Sequence, residues 1–212
     1  MSDVPDAELR RVLADAREAG FLGPDAPERH IDHAGVFIAA VEAQVGPAGP
    51  RSFLDLGSGA GVPGLVLALQ WSETEAVLVD ASQRRCTFAA SAAARLGIAD
   101  RVAVRCDRAE VLGHEADLRE HFSVVVARSF GAPAVTAELA SPFLEVGGLL
   151  LVSEPPATEI ERWPAAKLRV LGLGTGEESR HHGYGVATMH KESPLADRYP
   201  RRVGIPTKRP LW

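Results

Sequence analysis

The chain has 212 residues, 46% of them hydrophobic and 24% charged, with a formal net charge of −5. That is enough apolar sequence for one well-filled core, and the acidic balance excludes a protein that grips nucleic acid over its whole surface, because phosphate contacts draw on Lys and Arg. No run approaches the roughly 18 apolar residues of a membrane span, and the opening Met-Ser-Asp-Val-Pro-Asp lacks the layout of a signal peptide, so a soluble cytoplasmic protein is expected, with no membrane partner. Residues 4–20 place Leu9, Val12, Leu13 and Ala16 at helical spacing among charges, an amphipathic helix that ends near Gly20, before the Gly23-Pro24 breaker. A second apolar helix spans 31–45. The Gly46-Pro47-Ala48-Gly49-Pro50 punctuation then separates a helical extension over 1–50 from a second unit over 51–212.

From position 51 the pattern alternates. Strands are expected at 51–56, 76–80, 101–105, 122–127 and 147–152, with helices at 62–71, 82–96 (capped by Ser82, stopped by Gly97), 108–120 and 132–144. Weaker strand signals lie at 168–171 and 184–189. Such alternation predicts an α/β fold with a mostly parallel sheet, helices on both faces and an N-terminal helical leader. Cys86 and Cys106 have neither metal-ligand nor secreted-disulfide spacing, so buried reduced thiols and no metal site are expected.

The organising stretch is 53–64, Phe-Leu-Asp-Leu-Gly-Ser-Gly-Ala-Gly-Val-Pro-Gly, a buried strand running into a glycine turn and a helix. Gly57, Gly59 and Gly61 allow positive φ and close approach of a ligand to the backbone. Asp80 ends the second strand, where a carboxylate can accept both hydroxyls of a ribose, although a strand-end aspartate is also often a cap for the next helix. Ligands in open α/β sheets bind beyond the carboxyl ends of the strands, which here carry 55–57, Asp80, 107–110 and Arg128. Residues 59–64 satisfy the dinucleotide fingerprint, so a nicotinamide-dependent oxidoreductase has to be weighed. Asp55, two places before Gly57, and the helical leader tilt the balance: acid-x-Gly-x-Gly-x-Gly resembles the loop of class I methyltransferases, which implies a cofactor with a sulfonium and no phosphate, whose amino acid end the carboxylate helps to order. S-adenosyl-L-methionine is therefore the expected cofactor. The stretch 191–212 concentrates cations, Lys191, Arg198, Arg201, Arg202, Lys208 and Arg209 against Glu192 and Asp197, a local basic patch.

Four segments together resemble the RsmG (GidB) family, bacterial methyltransferases of guanine N7 in small-subunit ribosomal RNA. They are 55–64 (Asp-Leu-Gly-Ser-Gly-Ala-Gly-Val-Pro-Gly), Arg108-Ala109-Glu110, Val126-Ala-Arg-Ser-Phe130 and the tail 199–211, with Arg29-His30-Ile31-Asp32 an echo in the leader. The resemblance implies a class I methyltransferase (Rossmann-like) fold. It implies that Gly57 and Val62 line the methionine end of the cofactor, that Ala109 and Glu110 lie by the adenine, and that Arg128 reaches cofactor and target. It further implies that Arg108 and Arg202 stand near RNA; with Arg201, Lys208 and Arg209 they make the expected RNA surface. The implied partner is 16S rRNA or the small ribosomal subunit, and a monomer is expected. Two departures fall where RNA would be handled: 152–156 reads Val-Ser-Glu-Pro-Pro in place of a Leu-Lys-Gly motif, and 23–27 lacks the family's asparagine-containing segment. They keep open a diverged relative that methylates a small molecule or another nucleic acid. Guanine N7 already exposes a lone pair, so positioning should dominate and no general base is required. A module that binds the cofactor without turnover also stays open.

Overall fold

In the computed structural model, residues 3–156 and 161–212 are described, so Met1 and Ser2 of the opening segment lie outside them. The helices α1 (Asp3–Glu18) and α2 (Pro27–Val45) precede the sheet, α2 starting at Pro27, whose missing N–H is no loss in a first turn. Then follow β1 (Ser52–Leu56), α3 (Gly64–Gln70), β2 (Glu75–Asp80), α4 (Gln83–Arg95), β3 (Val102–Cys106) and α5 (Ala109–Leu112). The second half runs β4 (Phe122–Ala127), α6 (Pro133–Ala140), β5 (Leu144–Glu154), α7 (Ala165–Leu168), β6 (Glu177–His181), β7 (Tyr184–His190) and α8 (Ile205–Lys208). The sheet order is β3-β2-β1-β4-β5-β7-β6, parallel through β5, with β7 and β6 antiparallel. The chain thus crosses from β1 to β3 on one side and then back to β4 on the other. The carboxyl ends of β1 and β4, adjacent in the sheet, flank the switch point where an open sheet binds its ligand.

Period-two side chains divide the strands between two apolar layers. Leu54, Leu56, Val125, Ala127 and Leu150 face α5, α6 and the tail, while Phe53, Leu78, Val124, Val126 and Leu151 face α2, α3 and α4. Val36, Phe37 and Val41 put the leader in that second layer beside Trp71. Among the described residues no helix is long and apolar enough to cross a membrane, and no group of three or more His, Cys, Asp or Glu is placed to hold a metal.

Several expected elements differ. The helix expected over 108–120 is one turn, because Gly113 and a polar run without an apolar stripe follow it, and Arg105 instead pairs with Glu115 and Asp117. The strand expected over 168–171 is helical: Pro164 sets the N-cap of α7, a 3-10 turn over Arg169–Leu171 follows, and Gly172 closes it at φ 72°. Strand β6 carries no apolar signal because all five residues are exposed, and it pairs with β7 through His182-Gly183, both at positive φ (49° and 83°), a two-residue hairpin loop. Ser82 makes no side-chain cap. Cys86 is buried as expected, but Cys106 is exposed, since it ends the edge strand β3; both are free thiols.

Candidate functional site

The glycine loop is held from below by two carboxylates. Asp55, at the end of β1, is buried, and its Oδ2 accepts the N–H of Gly64 at 2.8 Å, a free donor at the start of α3. A Cβ at Gly64 would lie 2.7 Å from that oxygen and 2.4 Å from Leu78 Cδ2, so only glycine admits this approach. Burial pushes the Asp55 carboxyl up to about 7, against the opposing pull of the Gly64 N–H, and its Oδ1 is buried without a partner. Asp55 therefore organises the loop from inside and does not line the open cavities, a correction to its expected place beside the cofactor's amino acid end. Asp80 Oδ2 accepts the Gly59 N–H at 2.9 Å and Oδ1 accepts the Ser82 N–H at 2.8 Å. Asp80 thus caps the next segment and also lines the cavity, with lone pairs to spare.

Three cavities open at the carboxyl ends of the strands. The first, of about 460 Å³, is bordered by Gly57, Asp80, Asp107, Ala109 and Glu110, with Val79, Val135 and Leu139 as apolar lining. A second, of about 410 Å³, lies under the leader and is bordered by Gly57, Ser58, Gly59, Val62, His30 and Arg128. The third, of about 620 Å³, is bordered by Phe130, Ser153, Glu154, Arg162 and Tyr184. All three meet at Ser129, whose φ of 54° is unusual for a residue with a Cβ. Gly57 separates the first two at φ 71°, and a Cβ there would stand 2.3 Å from the Phe130 ring. Gly61, at φ 88°, shapes the turn from inside, where a Cβ would meet Leu65. The structure thus brings Gly57, Gly59, Val62, Asp80, Ala109, Glu110 and Arg128 together as expected.

Arg128 is half-buried behind β4, and its Nη1 lies 3.2 Å from His30 Nδ1. Glu110 is buried and accepts from Arg108 Nη2 at 2.8 Å and from the Gly204 N–H at 3.0 Å. Its burial favours the neutral acid, but Arg108 and the Gly204 N–H hold its carboxyl below the usual range.

The basic tail is only partly a surface. Arg201 forms a two-pronged pair with buried Glu138, Nε at 2.8 Å and Nη2 at 2.6 Å, and its backbone N–H adds a third bond at 3.0 Å. Its expected place on the RNA surface is corrected: it pins the tail to α6. Lys191 is also internal, 1% exposed, with Nζ on Ser141 Oγ, Ser141 O and Leu171 O, and burial draws its ammonium down to about 8. Arg202, Lys208 and Arg209 are exposed, and Arg108 is exposed while tied to Glu110. Glu154, the acidic residue that ends β5, accepts from Trp163 Nε1 at 2.9 Å and pairs with Arg162 at 2.7 Å, so its charge is answered within the fold.

Sequence reasoning assigned no role to His30, His33, Ser129 and Tyr184, although all four border the cavity under the leader. Residues 29, 30 and 33 share one face of α2 by their three- and four-residue spacing, the signal that was available.

A sequence model of the family described as "rRNA small subunit methyltransferase G" (GidB) matches residues 24–167, starting inside the leader rather than at the first strand. The ribosomal RNA small subunit methyltransferase G of Moorella thermoacetica is 34% identical over 171 residues, covering 74% of this chain and 68% of its own. That of Fervidobacterium nodosum is 35% identical over 164 residues, covering 75% and 76%. Among solved structures, the O-methyltransferase from Bacillus cereus in complex with SAH superposes with a TM-score of 0.61 at 16% identity, over 87% of this chain and 91% of that one, a likeness of fold. The Rossmann-like architecture, the sequence relatives and the family match agree, and the chain belongs to the rRNA small subunit methyltransferase G (GidB) family of S-adenosylmethionine-dependent methyltransferases.

Proposed function

We propose that this protein methylates N7 of a guanine in small-subunit ribosomal RNA, as a monomeric cytoplasmic enzyme. The observation that carries the reading is the junction at Gly57 and Ser129, where a nucleoside-sized cavity edged by Asp80 and Ala109 meets a donor-rich one under Arg128. The residues fit the cofactor. Asp80 presents acceptors for ribose hydroxyls, Ala109 and Val135 give an apolar bed for adenine, and Gly57 leaves room that a Cβ would fill. Arg128 faces the amino acid end with guanidinium N–H groups to donate. The bound cofactor supplies an electrophilic methyl group on a sulfonium.

The chain's own work is positioning. Guanine N7 carries a lone pair in the plane of the ring and loses no proton on methylation, so the protein needs to hold ring and methyl in line and keep water out. The side chains at the junction suit that: Phe130 and Ser129 shape the passage, and the buried carboxylate of Asp55 is turned to Gly64. The third cavity, walled by Phe130, Tyr184 and Ser153, is large enough to take a purine turned out of an RNA strand. Exposed Arg202, Lys208 and Arg209, with Arg108, supply phosphate contacts.

The competing metabolite reading drew on the acidic net charge and on Glu154 standing where the family has a lysine; the pairing of Glu154 with Arg162 and Trp163 gives that carboxylate a role inside the fold. The test is methyl transfer from labelled S-adenosylmethionine to small ribosomal subunits, and to their naked 16S RNA, isolated from cells lacking this gene. Label at a single guanine N7 is expected; no incorporation into either substrate refutes the assignment.

A further inference from the structure

Arg128 stands out among the arginines of this fold. Arg201, Arg108, Arg105 and Arg95 each meet a carboxylate within ion-pair distance, and Arg101 and Arg119 each meet several backbone carbonyls, whereas Arg128, half-buried in the cavity under the leader, has neither among the described residues. Its one hydrogen-bond partner is the neutral ring of His30, at 3.2 Å from Nη1. A guanidinium is a donor only, with five N–H groups in a rigid fork, so His30 Nδ1 must be the acceptor. That fixes the tautomer, with the ring proton on Nε2. His30 Nε2 is buried and has no partner, so this ring keeps one N–H unsatisfied while it meets Arg128 through the other nitrogen.

The ring is itself held in place. His33, one turn along α2, stacks on Tyr184 of β7 with centroids 4.4 Å apart and planes 13° apart, and the Tyr184 hydroxyl donates to Arg29 O at 3.4 Å. Helix α2 is thereby fixed to β7, and His30 bridges it to the end of β4. Burial and the facing Arg128 hold the His30 imidazole below the usual histidine range, which keeps Nδ1 free to accept at neutral pH.

We infer that His30 is a positioning residue: its Nδ1 fixes one arm of the Arg128 guanidinium so that the remaining N–H groups face the carboxylate of the cofactor's amino acid end. The use of a neutral acceptor follows from the task. A carboxylate in the place of His30 would neutralise Arg128 and compete with an anionic ligand, as Glu138 does for Arg201. An imidazole orients the cation and leaves its charge to the ligand. The inference rests on the cofactor reading above for the identity of the anion, but the His30–Arg128 geometry stands independently of it.

The experiment is a double-mutant cycle read by calorimetric titration with S-adenosylmethionine, on the full chain, with His30→Leu, His30→Gln, Arg128→Leu and the His30→Leu/Arg128→Leu pair. Loss of a hydrogen bond to a charged group predicts that His30→Leu weakens binding about 10- to 100-fold. His30→Gln, whose amide oxygen can accept, recovers most of that loss. In the Arg128→Leu background, His30→Leu costs less than about twofold more, because the arm it positions is gone. Wild-type affinity in His30→Leu, no recovery in His30→Gln, or an equal loss in both backgrounds overturns the assignment. Side-chain 15N spectra of the ligand-free protein give a readout that does not depend on binding. The Nε2–H tautomer of His30 is expected, and an Nδ1–H tautomer overturns the geometry. If the wild-type chain binds no S-adenosylmethionine, the cofactor reading fails, and the tautomer still decides what His30 does for Arg128. Melting curves of each variant separate misfolding from loss of the arm.

Discussion

The glycine loop and the C-terminal strap border the same cavity and are built on opposite plans. The loop over 57–64 is mostly local: three glycines at positive φ, with Asp55 just before it reaching the Gly64 N–H, and one tie from the next strand, Asp80 to the Gly59 N–H. The strap over 199–212 has little regular structure and is tied by side chains distant in sequence: Arg201 to Glu138, His114 to Pro200 O and Arg119 to Tyr199 O, with the Gly204 N–H on Glu110. Thr207 and Pro210 of the strap nevertheless line the same cavity as Asp80. A local sequence pattern can dictate the first arrangement. The second depends on partners that only the fold brings together, and so a basic run along the chain does not make a basic surface.

The contrast is broken most forcefully at Arg201. Glu138 is fully buried, and Arg201→Ala leaves its carboxylate without the guanidinium that answers it. Stripping one partner from a buried pair costs on the order of 3–5 kcal/mol, so a large drop in the midpoint of chemical denaturation is expected, with RNA affinity measured on the folded fraction nearly unchanged. If Arg201→Ala instead leaves stability intact and weakens RNA binding, the strap is a surface after all.

Next in size is Gly57→Val, which acts on the loop alone. The added side chain meets Phe130 at once and must adopt φ near 71°, where a β-branched residue is strained. An affinity loss for S-adenosylmethionine above about 100-fold is expected, with a stability cost smaller than that of Arg201→Ala. Calorimetry and denaturation on the same preparation check both halves, and retained affinity would show that the cofactor does not pass beside Gly57.

These two positions also mark what the sequence could tell. The mostly parallel sheet and the convergence on Gly57, Asp80, 109–110 and Arg128 were legible, because buried strands are continuous apolar runs and their ends are marked by glycine and charge. Strand β6 was not, because an edge hairpin exposed along its whole length writes no alternation. Neither the burial of Lys191 and Arg201 nor the pairing of Glu154 with Arg162 could be read, since no pattern in the chain marks the partner that the fold brings to each. The leader concealed the most: α2 showed an apolar helix, but that one of its faces delivers His30 and His33 to the cavity depends on how it docks against β7.

Asp55→Asn sharpens the account of the loop. The folded carboxyl sits at about 7, above its ordinary value, so between about pH 4 and pH 7 the native state binds more protons than the unfolded chain. Stability therefore falls as pH rises through that window and levels off above it. Asparagine keeps an oxygen for the Gly64 N–H without the charge, so the variant is expected to lose the slope and to be more stable than wild type at pH 8 by on the order of 1–3 kcal/mol. Denaturation at pH 5 and pH 8 reads the difference directly; equal slopes in the two proteins would mean that Asp55 titrates normally.

The smallest effects belong to the cations the strap does leave in water, Arg202, Lys208 and Arg209. An exposed charge that neutralises one phosphate contributes through counterion release, so each loss should lower the slope of log affinity against log salt by about 0.7–0.9. Arg202→Ala is the cleanest case, because Arg202 borders none of the three cavities, whereas Lys208 and Arg209 stand between Thr207 and Pro210, which do. Its expected signature is a severalfold weaker binding of 16S RNA at low salt, a flatter salt dependence, unchanged affinity for S-adenosylmethionine and unchanged stability. Arg201→Ala should show the reverse in stability, RNA affinity and salt dependence, although the two arginines are adjacent in sequence. A salt slope that moves for Arg201→Ala and not for Arg202→Ala would invert the assignment, placing the RNA on the α6 side of the strap, where Glu138 holds its arginine.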